Sequence, residues 1–269
     1  MTVCDKKTGP HTLVQITDSH LFAEPEQALL GLPTRASLQA VVELVRAEQP
    51  QVELILATGD IAQDASVAAY QQFADQVAEI GAPMRWLPGN HDEAMVQQAV
   101  SGMQQCSERV FDLPHWRVVM LNSAVSGAVH GYLDAAQLKL LAQAVQQAGA
   151  RHVLVCLHHH PVSVGSAWLD EIGLHNADEL FALVDRYPAV KGIVWGHIHQ
   201  AFDQERNGVR LLSSPSTCIQ FAPASQDFAL DSQLPGYRWL RLHDDGTIET
   251  GVSRLQQLDY TIDHTANGY

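Results

Sequence analysis

Five short polar clusters in this 269-residue chain carry side chains able to hold metal ions. They are Asp18-Ser19-His20, Gly59-Asp60, Gly89-Asn90-His91-Asp92, His158-His159-His160 ahead of Pro161, and Gly196-His197-Ile198-His199. Carboxylates, imidazoles and one neutral amide suit first-row metals such as iron, manganese, zinc or cobalt. Magnesium alone fits less well, because it favours oxygen ligands and water. Taken singly, each cluster has an ordinary reading: Gly-Asp and Gly-Asn are frequent turn formers, and a lone histidine is more often packed than ligating. Taken together they offer a concentrated set of donors. Asp18 and His20, like His197 and His199, are separated by one residue, so an extended or tightly turned backbone aims each pair at one pocket. Two divalent ions would outweigh the charges of Asp18 and Asp60, and the surplus would hold a phosphate. Two such ions about 3.5–4 Å apart stabilise the attacking and leaving oxygens of an in-line displacement, and lower the pKa of a bridging water towards ~7.

Each cluster directly follows an apolar run that reads as a strand: Thr12–Thr17, Glu53–Thr58, Met84–Pro88, Arg151–Leu157 and Gly192–Trp195. In open α/β sheets the carboxyl ends of the strands gather at one edge, where ligands bind, so the clusters are expected to converge. Between the strands, Leu38, Val41, Val42 and Val45 recur at helical spacing. A helix is expected from about Asp64 to Ile80 with Asp64 as its N-cap, another over Asp134–Ala148, and a third capped by Asn176 and reaching Tyr187. Trp116–Asn122 reads as a further buried strand. After Trp195 the pattern changes to hairpins, one turning at Asn207-Gly208 and one at Asp244–Gly246. The whole chain, 1–269, is expected to form one α/β domain, a sandwich whose second sheet is mixed or partly antiparallel. Residues 1–10 read as a flexible N-terminus and 200–269 as a C-terminal hairpin region of the same domain.

Composition narrows the function. There are 30 acidic against 16 basic residues, a net charge of −14, and no Lys/Arg cluster, which argues against binding a long nucleic acid. A small anionic ligand is compatible with such a chain where metal ions supply the positive charge. No run approaches the ~18 apolar residues of a membrane span. Met1–Gly9 is polar and carries Lys6 and Lys7 with no apolar stretch after them, which argues against a secretory leader. Cys4, Cys106, Cys156 and Cys218 are scattered and form no C-x-x-C pair, as expected of reduced thiols in a cytoplasm. The expected partner is therefore a small molecule, with no membrane; a homo-oligomer is left open.

The series D-S-H, G-D, G-N-H-D, H-H-H and G-H-I-H resembles the signature of the calcineurin-like metallophosphoesterases. The flanking stretches are similar to those of the bacterial class III 3′,5′-cyclic AMP phosphodiesterases: Leu13–Phe22, Ala57–Asp64, Gly165-Ser-Ala-Trp-Leu-Asp170, Pro215-Ser-Thr-Cys218 and Pro235-Gly-Tyr-Arg238. The resemblance implies a four-layer α/β/β/α sandwich with C-terminal β-hairpins, and hydrolysis of cyclic AMP to 5′-AMP by a metal-bridging hydroxide. It implies one metal on Asp18, His20, Asp60 and His199. The second would share Asp60 and add Asn90, His158 and His197, with His159 the alternative to His158 and His160 a supporting residue. It further implies substrate contacts from His20, Asp60, Asn90, His91 and His199.

His91 is the expected catalytic residue, donating a hydrogen bond or proton towards the departing ribose oxygen. The family often places an aspartate three residues after the Gly-Asp aspartate to orient this histidine; here that position is Gln63, followed by Asp64. His130, Trp168 and Phe221 are candidates for the pocket walls. Two rival functions share the motifs. One is hydrolysis of another small diester, such as a glycerophosphodiester or nucleotide-derived ester. The other is a non-enzymatic scaffold, which a complete ligand set disfavours.

Overall fold

Strands buried on both faces show no polar alternation, and their two faces divide between two cores. In Leu54–Ala57, Leu54 and Leu56 join one apolar cluster while Ile55 and Ala57 join another. In His152–Cys156, Leu154 and Cys156 share the cluster of Leu54, whereas Val153 and Val155 face a third. Three apolar layers stacked in this way require four layers of secondary structure. The computed structural model has that architecture, and it describes residues 9–100, 102–263, 265 and 268. Residues 1–8, which include Cys4 and most of the expected flexible N-terminus, lie outside the described residues.

The strands are β1 His11–Ile16, β2 Ala28–Leu29, β3 Leu32–Pro33, β4 Leu54–Ala57, β5 Met84–Trp86, β6 Val110–Asp112 and β7 Trp116–Met120. They continue with β8 His152–Cys156, β9 Val190–Trp195, β10 Phe202–Arg206, β11 Val209–Ser213, β12 Gly236–Leu242 and β13 Ile248–Arg254. The helices are α1 Thr34–Glu48, α2 Val67–Ala78, α3 Ala94–Ala99, α4 Ala135–Gln146, α5 Ala167–Asp170 and α6 Ala177–Val184. One sheet runs β13-β12-β1-β4-β5 and the other β10-β11-β9-β8-β7-β6; β2 and β3 form a small separate ribbon. Both sheets are mixed. β1, β4 and β5 are parallel, as are β7, β8, β9 and β11, while β12, β13, β10 and β6 add antiparallel pairs. The outer face of the first sheet packs on α1 and α2 through Val41, Val45, Tyr70 and Phe73. The outer face of the second packs on α4 and α6 through Leu141, Val145, Leu180 and Val184. Among the described residues no helix is long and apolar enough to cross a membrane.

The expected helices appear with shifted ends. Helix α2 starts three residues after Asp64, because Ser66 is its cap and accepts from Ala69 N. Asp64 instead ties down the loop, accepting from Ala23 N and Ser66 N. Asn176 is the N-cap residue of α6, as expected, but its side chain makes no capping bond; its amide pairs with both backbone groups of Leu133. Asp134 does cap α4, accepting from Gln137 N at 2.9 Å. The hairpin at Asn207-Gly208 forms as expected, with φ of 51° and 77°, the left-handed pair a tight two-residue turn needs.

One buried charge ties the sheets together. Arg238 of β12, 2 % exposed, donates to Ser213 O of β11 through Nε and Nη2, and to Phe202 O of β10. Burial draws its pKa down to about 10, so the guanidinium stays charged at neutral pH. Replacing it removes these bonds across the seam. Arg238→Met should lower stability by about 2–4 kcal/mol, read as an earlier urea midpoint with an unchanged m-value; a loss below about 1 kcal/mol would show that the clamp is dispensable.

Candidate metal centre

The five clusters lie on the loops after β1, β4, β5, β8 and β9, at the carboxyl edge of both sheets. Backbone bonds between loops fix them to one another: Asp18 N donates to Gly59 O at 3.0 Å, His20 N to Asp60 O at 3.0 Å, and Gly196 N to His158 O at 3.1 Å. Across the sheets, His197 N donates to Asp18 Oδ1 at 2.9 Å. Buried Gln15 bridges Thr58 Oγ1 and Trp195 O, each at 2.8 Å. Asp18, His20, Asp60, His197 and His199 all have left-handed φ, between 47° and 66°. That region disfavours side chains by roughly 1–2 kcal/mol per residue. Here it turns alternate residues of two loops to the same side. Glycines supply the room: a Cβ on Gly89 would strike Asp60 Oδ1, and one on Gly196 would lie 2.7 Å from Asp18 Oδ2.

Around the pocket, three imidazoles are anchored through Nδ1. His199 Nδ1 lies 2.8 Å from Ile219 O, His158 Nδ1 2.8 Å from Thr58 O, and His20 Nδ1 2.6 Å from Gln63 Oε1. A carbonyl oxygen only accepts, so each Nδ1 carries a proton and each Nε2 is left as the nitrogen whose lone pair a metal would take. Those lone pairs converge. His20 Nε2 and His199 Nε2 are 3.2 Å apart, and His199 Nε2 is 3.5 Å from Asp18 Oδ1. His158 Nε2 is 3.2 Å from both Asp60 Oδ2 and Asn90 Oδ1. Asp18 Oδ2 and His197 Nε2 are buried without a hydrogen-bond partner. Buried acceptors facing one another at this range repel unless cations lie between them. The donor set therefore fits metal ions. Asp18, His20 and His199 form one group whose ligand atoms lie within 4.8 Å of one another; Asp18, Asp60 and His158 form another.

Ionisation matches that role. Burial opposes the charge of Asp60, but His158, His91 and His20 around it hold its pKa well below the usual carboxylate range. Burial likewise opposes charge on Asp18, and His199 overcomes it. Burial presses His20 down to about 3 and His197 far below its ordinary value, so both are neutral imidazoles. His158 behaves differently. Burial disfavours its charge too, but the Asp60 carboxylate beside it lifts its pKa to about 9.

His159 offers a ring nitrogen within 4.8 Å of those of His158 and His197, but its Nδ1 meets Ser123 Oγ at 2.8 Å and its Nε2 meets Val129 O at 3.1 Å, so both ring nitrogens are engaged. His160 packs against the His197 ring, its Nε2 3.9 Å from Asp170 Oδ1. His91 is half-buried; its N–H donates to Asp60 Oδ1 at 2.9 Å and its ring meets that of His20 edge-on at 5.0 Å. Gln63 holds His20, and Asp64 ties down its own loop through Ala23 N and Ser66 N. Asp92 performs an unforeseen task, accepting from Gly89, Ile61 and Ala62 N–H groups to lock two site loops together. Burial and the nearby Asp60 raise its pKa to about 6. Beside the centre opens a cavity of about 460 Å³, lined by Asn90, His91 and His197 and by Trp168, Phe221 and Phe228. His130 lies apart from this lining, stacked on His175 at 3.9 Å.

Comparison with known proteins agrees with the geometry. The calcineurin-like phosphoesterase family model matches residues 11–201. A protein of Pseudomonas aeruginosa named 3′,5′-cyclic adenosine monophosphate phosphodiesterase CpdA is 52% identical over 257 residues, covering 96% of this chain and 94% of its own. The protein of that name from Escherichia coli K12 is 46% identical over 259 residues, with the same coverage of 96% and 94%. Among solved structures, a dimetal phosphatase from Danio rerio superposes with a TM-score of 0.64 at 17% identity, covering 92% of this chain and 99% of its own, a likeness of fold.

Partners that orient ligating imidazoles typically account for ten- to hundredfold in metal affinity. Gln63→Leu, which removes the acceptor from His20 Nδ1, should weaken metal binding by about that factor, measured by titrating metal into the stripped protein. An unchanged affinity would show that His20 needs no such anchor.

Proposed function

The chain belongs to the calcineurin-like phosphoesterase family, and on that premise we propose that it hydrolyses the 3′,5′-phosphodiester of cyclic AMP to 5′-AMP. The observation that carries the substrate is the 52% identity, over almost the whole of both chains, to a protein named for that activity. The chemistry rests on the buried convergence of lone pairs. We assign one metal to Asp18, His20, Asp60 and His199, and a second to Asp60, Asn90, His158 and His197. His158 is preferred over His159 because the latter's ring nitrogens are both occupied by Ser123 and Val129. The N/O set suits iron, manganese, zinc or cobalt. When bound, the two metals neutralise the phosphate and activate the attacking water.

The protein's own residues do the rest. Gln63 Oε1, Thr58 O and Ile219 O hold a proton on Nδ1 of His20, His158 and His199, so Nε2 is the nitrogen each would give a metal, which at His158 would displace the proton that Asp60 favours there. Asp60 stays a carboxylate and, through Oδ1, fixes the backbone of His91 at the cavity edge. In the hydrolysis the P–O3′ bond breaks and the ribose 3′-oxygen leaves. The His91 ring supplies a hydrogen bond or proton to that oxygen, and His20, Asp60, Asn90, His91 and His199 face the substrate phosphate. The net charge of −14 keeps long nucleic acids away while leaving a small cyclic nucleotide welcome. We take 1–269 as one domain, since β12 pairs with β1 and β13 with β12 to finish the first sheet. We place the protein in the cytoplasm; Cys106, Cys156 and Cys218 are all unpaired, as a reducing compartment allows.

The test compares kcat/KM of the metal-loaded protein on cyclic AMP, cyclic GMP, a glycerophosphodiester and a nitrophenyl phosphodiester. Turnover of generic diesters without turnover of cyclic AMP would overturn the nucleotide assignment and leave the phosphodiesterase standing. His91→Ala should lower kcat on cyclic AMP by about 10²–10⁴, with metal content unchanged by elemental analysis. Loss of the metals in that variant would assign His91 a structural role instead.

A further inference from the structure

The walls of the active-site cavity are unequal. Asn90, His91 and His197 bring polar groups from the metal loops, whereas Trp168, Phe221 and Phe228 bring three aromatic rings. Those rings pack edge to face: Trp168 lies 5.0 Å from Phe221 and 5.4 Å from Phe228, and the two phenylalanines are 5.5 Å apart. Phe221 also stacks on His199 at 4.1 Å, with the planes only 10° apart, so the aromatic cluster abuts the metal centre directly. Ordinary core packing would bury all three. Trp168 and Phe228 are instead only part-buried, and both border the cavity.

The loop carrying Trp168 is rigidly held. Trp168 Nε1 donates to Ser225 Oγ at 3.2 Å, Ala167 N donates to Ser225 O at 2.9 Å, and Ser225 Oγ donates to Ala222 O at 3.0 Å. These bonds join α5 to the segment bearing Phe221 and Phe228. They also consume the indole N–H, so the wall offers a ligand ring faces and aliphatic carbon. A surface of that kind recognises a flat aromatic group by stacking, and does so without reading its hydrogen-bonding edge.

We propose that Trp168, backed by Phe221 and Phe228, is the platform on which the substrate's nucleobase stacks, so that this wall selects nucleotides from other small diesters. The proposal rests on the cyclic-nucleotide reading above. With the phosphate at Asn90 and His91, the nucleoside extends into the same 460 Å³ cavity, where the aromatic rings form its apolar wall.

The experiment separates the base from the phosphate. Binding of 5′-AMP and of ribose 5-phosphate to the metal-loaded protein is measured by calorimetry, alongside steady-state turnover of cyclic AMP, for wild type, Trp168→Leu and Trp168→Phe. Stacking on an aromatic side chain is worth about ten- to hundredfold per base. Wild type should therefore bind 5′-AMP about that much more tightly than ribose 5-phosphate. Trp168→Leu should shrink the ratio towards one and raise KM for cyclic AMP by a similar factor, with kcat within about threefold and ribose 5-phosphate binding unchanged. Trp168→Phe should restore most of the ratio, which a merely structural role would not predict. A wild-type ratio near one, or an unaltered ratio in Trp168→Leu, overturns the platform without touching the phosphodiesterase reading. Failure of wild type to hydrolyse cyclic AMP overturns the nucleotide reading first. The wild-type ratio decides the question even where a variant does not fold.

Discussion

Everything at this site depends on one unfavourable encounter: buried lone pairs of imidazoles and carboxylates held face to face at 3.2–3.5 Å. Left alone, such groups would turn away or take up protons. They cannot turn away, because most are fixed from behind, and only His158 is drawn to a proton, by Asp60. Ile219, Thr58 and Gln63 hold the imidazole Nδ1 protons, the His197 and His91 N–H groups hold Asp18 and Asp60, and Asp92 binds three backbone N–H groups of the loops. The rest of the fold anchors those holders. Metal affinity here is largely the release of repulsion that the folded chain has already been made to carry.

The two-sheet architecture explains how so many donors meet. A single parallel sheet delivers a few loops to one edge. Two sheets stacked face to face, with their parallel strands aligned, deliver loops after β1, β4 and β5 from one side and after β8 and β9 from the other. The seam between them runs through Gln15, Thr58, Trp195 and Arg238, polar groups satisfied across an otherwise apolar interface. Such bonds have direction, so they set how the sheets register in a way apolar packing alone does not.

Much of this was legible from the residues. Polar clusters after apolar runs announced the site, and its seven candidate ligands do come together. The hairpin at Asn207-Gly208 was plain because only a few residue pairs accept two left-handed angles. What stayed hidden was of two kinds. Backbone acceptors such as Thr58 O and Ile219 O carry no sequence signal, since every residue has a carbonyl. Long-range partners were equally silent: Ser123 engages His159 from another loop, and Gln63 serves His20 where motif comparison pointed to His91. Helix ends were misjudged where two capping residues compete, as Asp64 and Ser66 do before α2.

The pairing of β12 with β1 has a consequence for the birth of the molecule. β1 carries the first site loop, and β4 follows it along the chain to cover one of its edges. Its other edge waits for β12, which lies far further along the chain. Until then β1 is an exposed strand with apolar side chains on both faces, the kind of template that recruits neighbouring chains. Completion of the first sheet thus waits on a strand remote in sequence, and a nascent chain stalled before β12 would lack both that sheet and the Arg238 clamp.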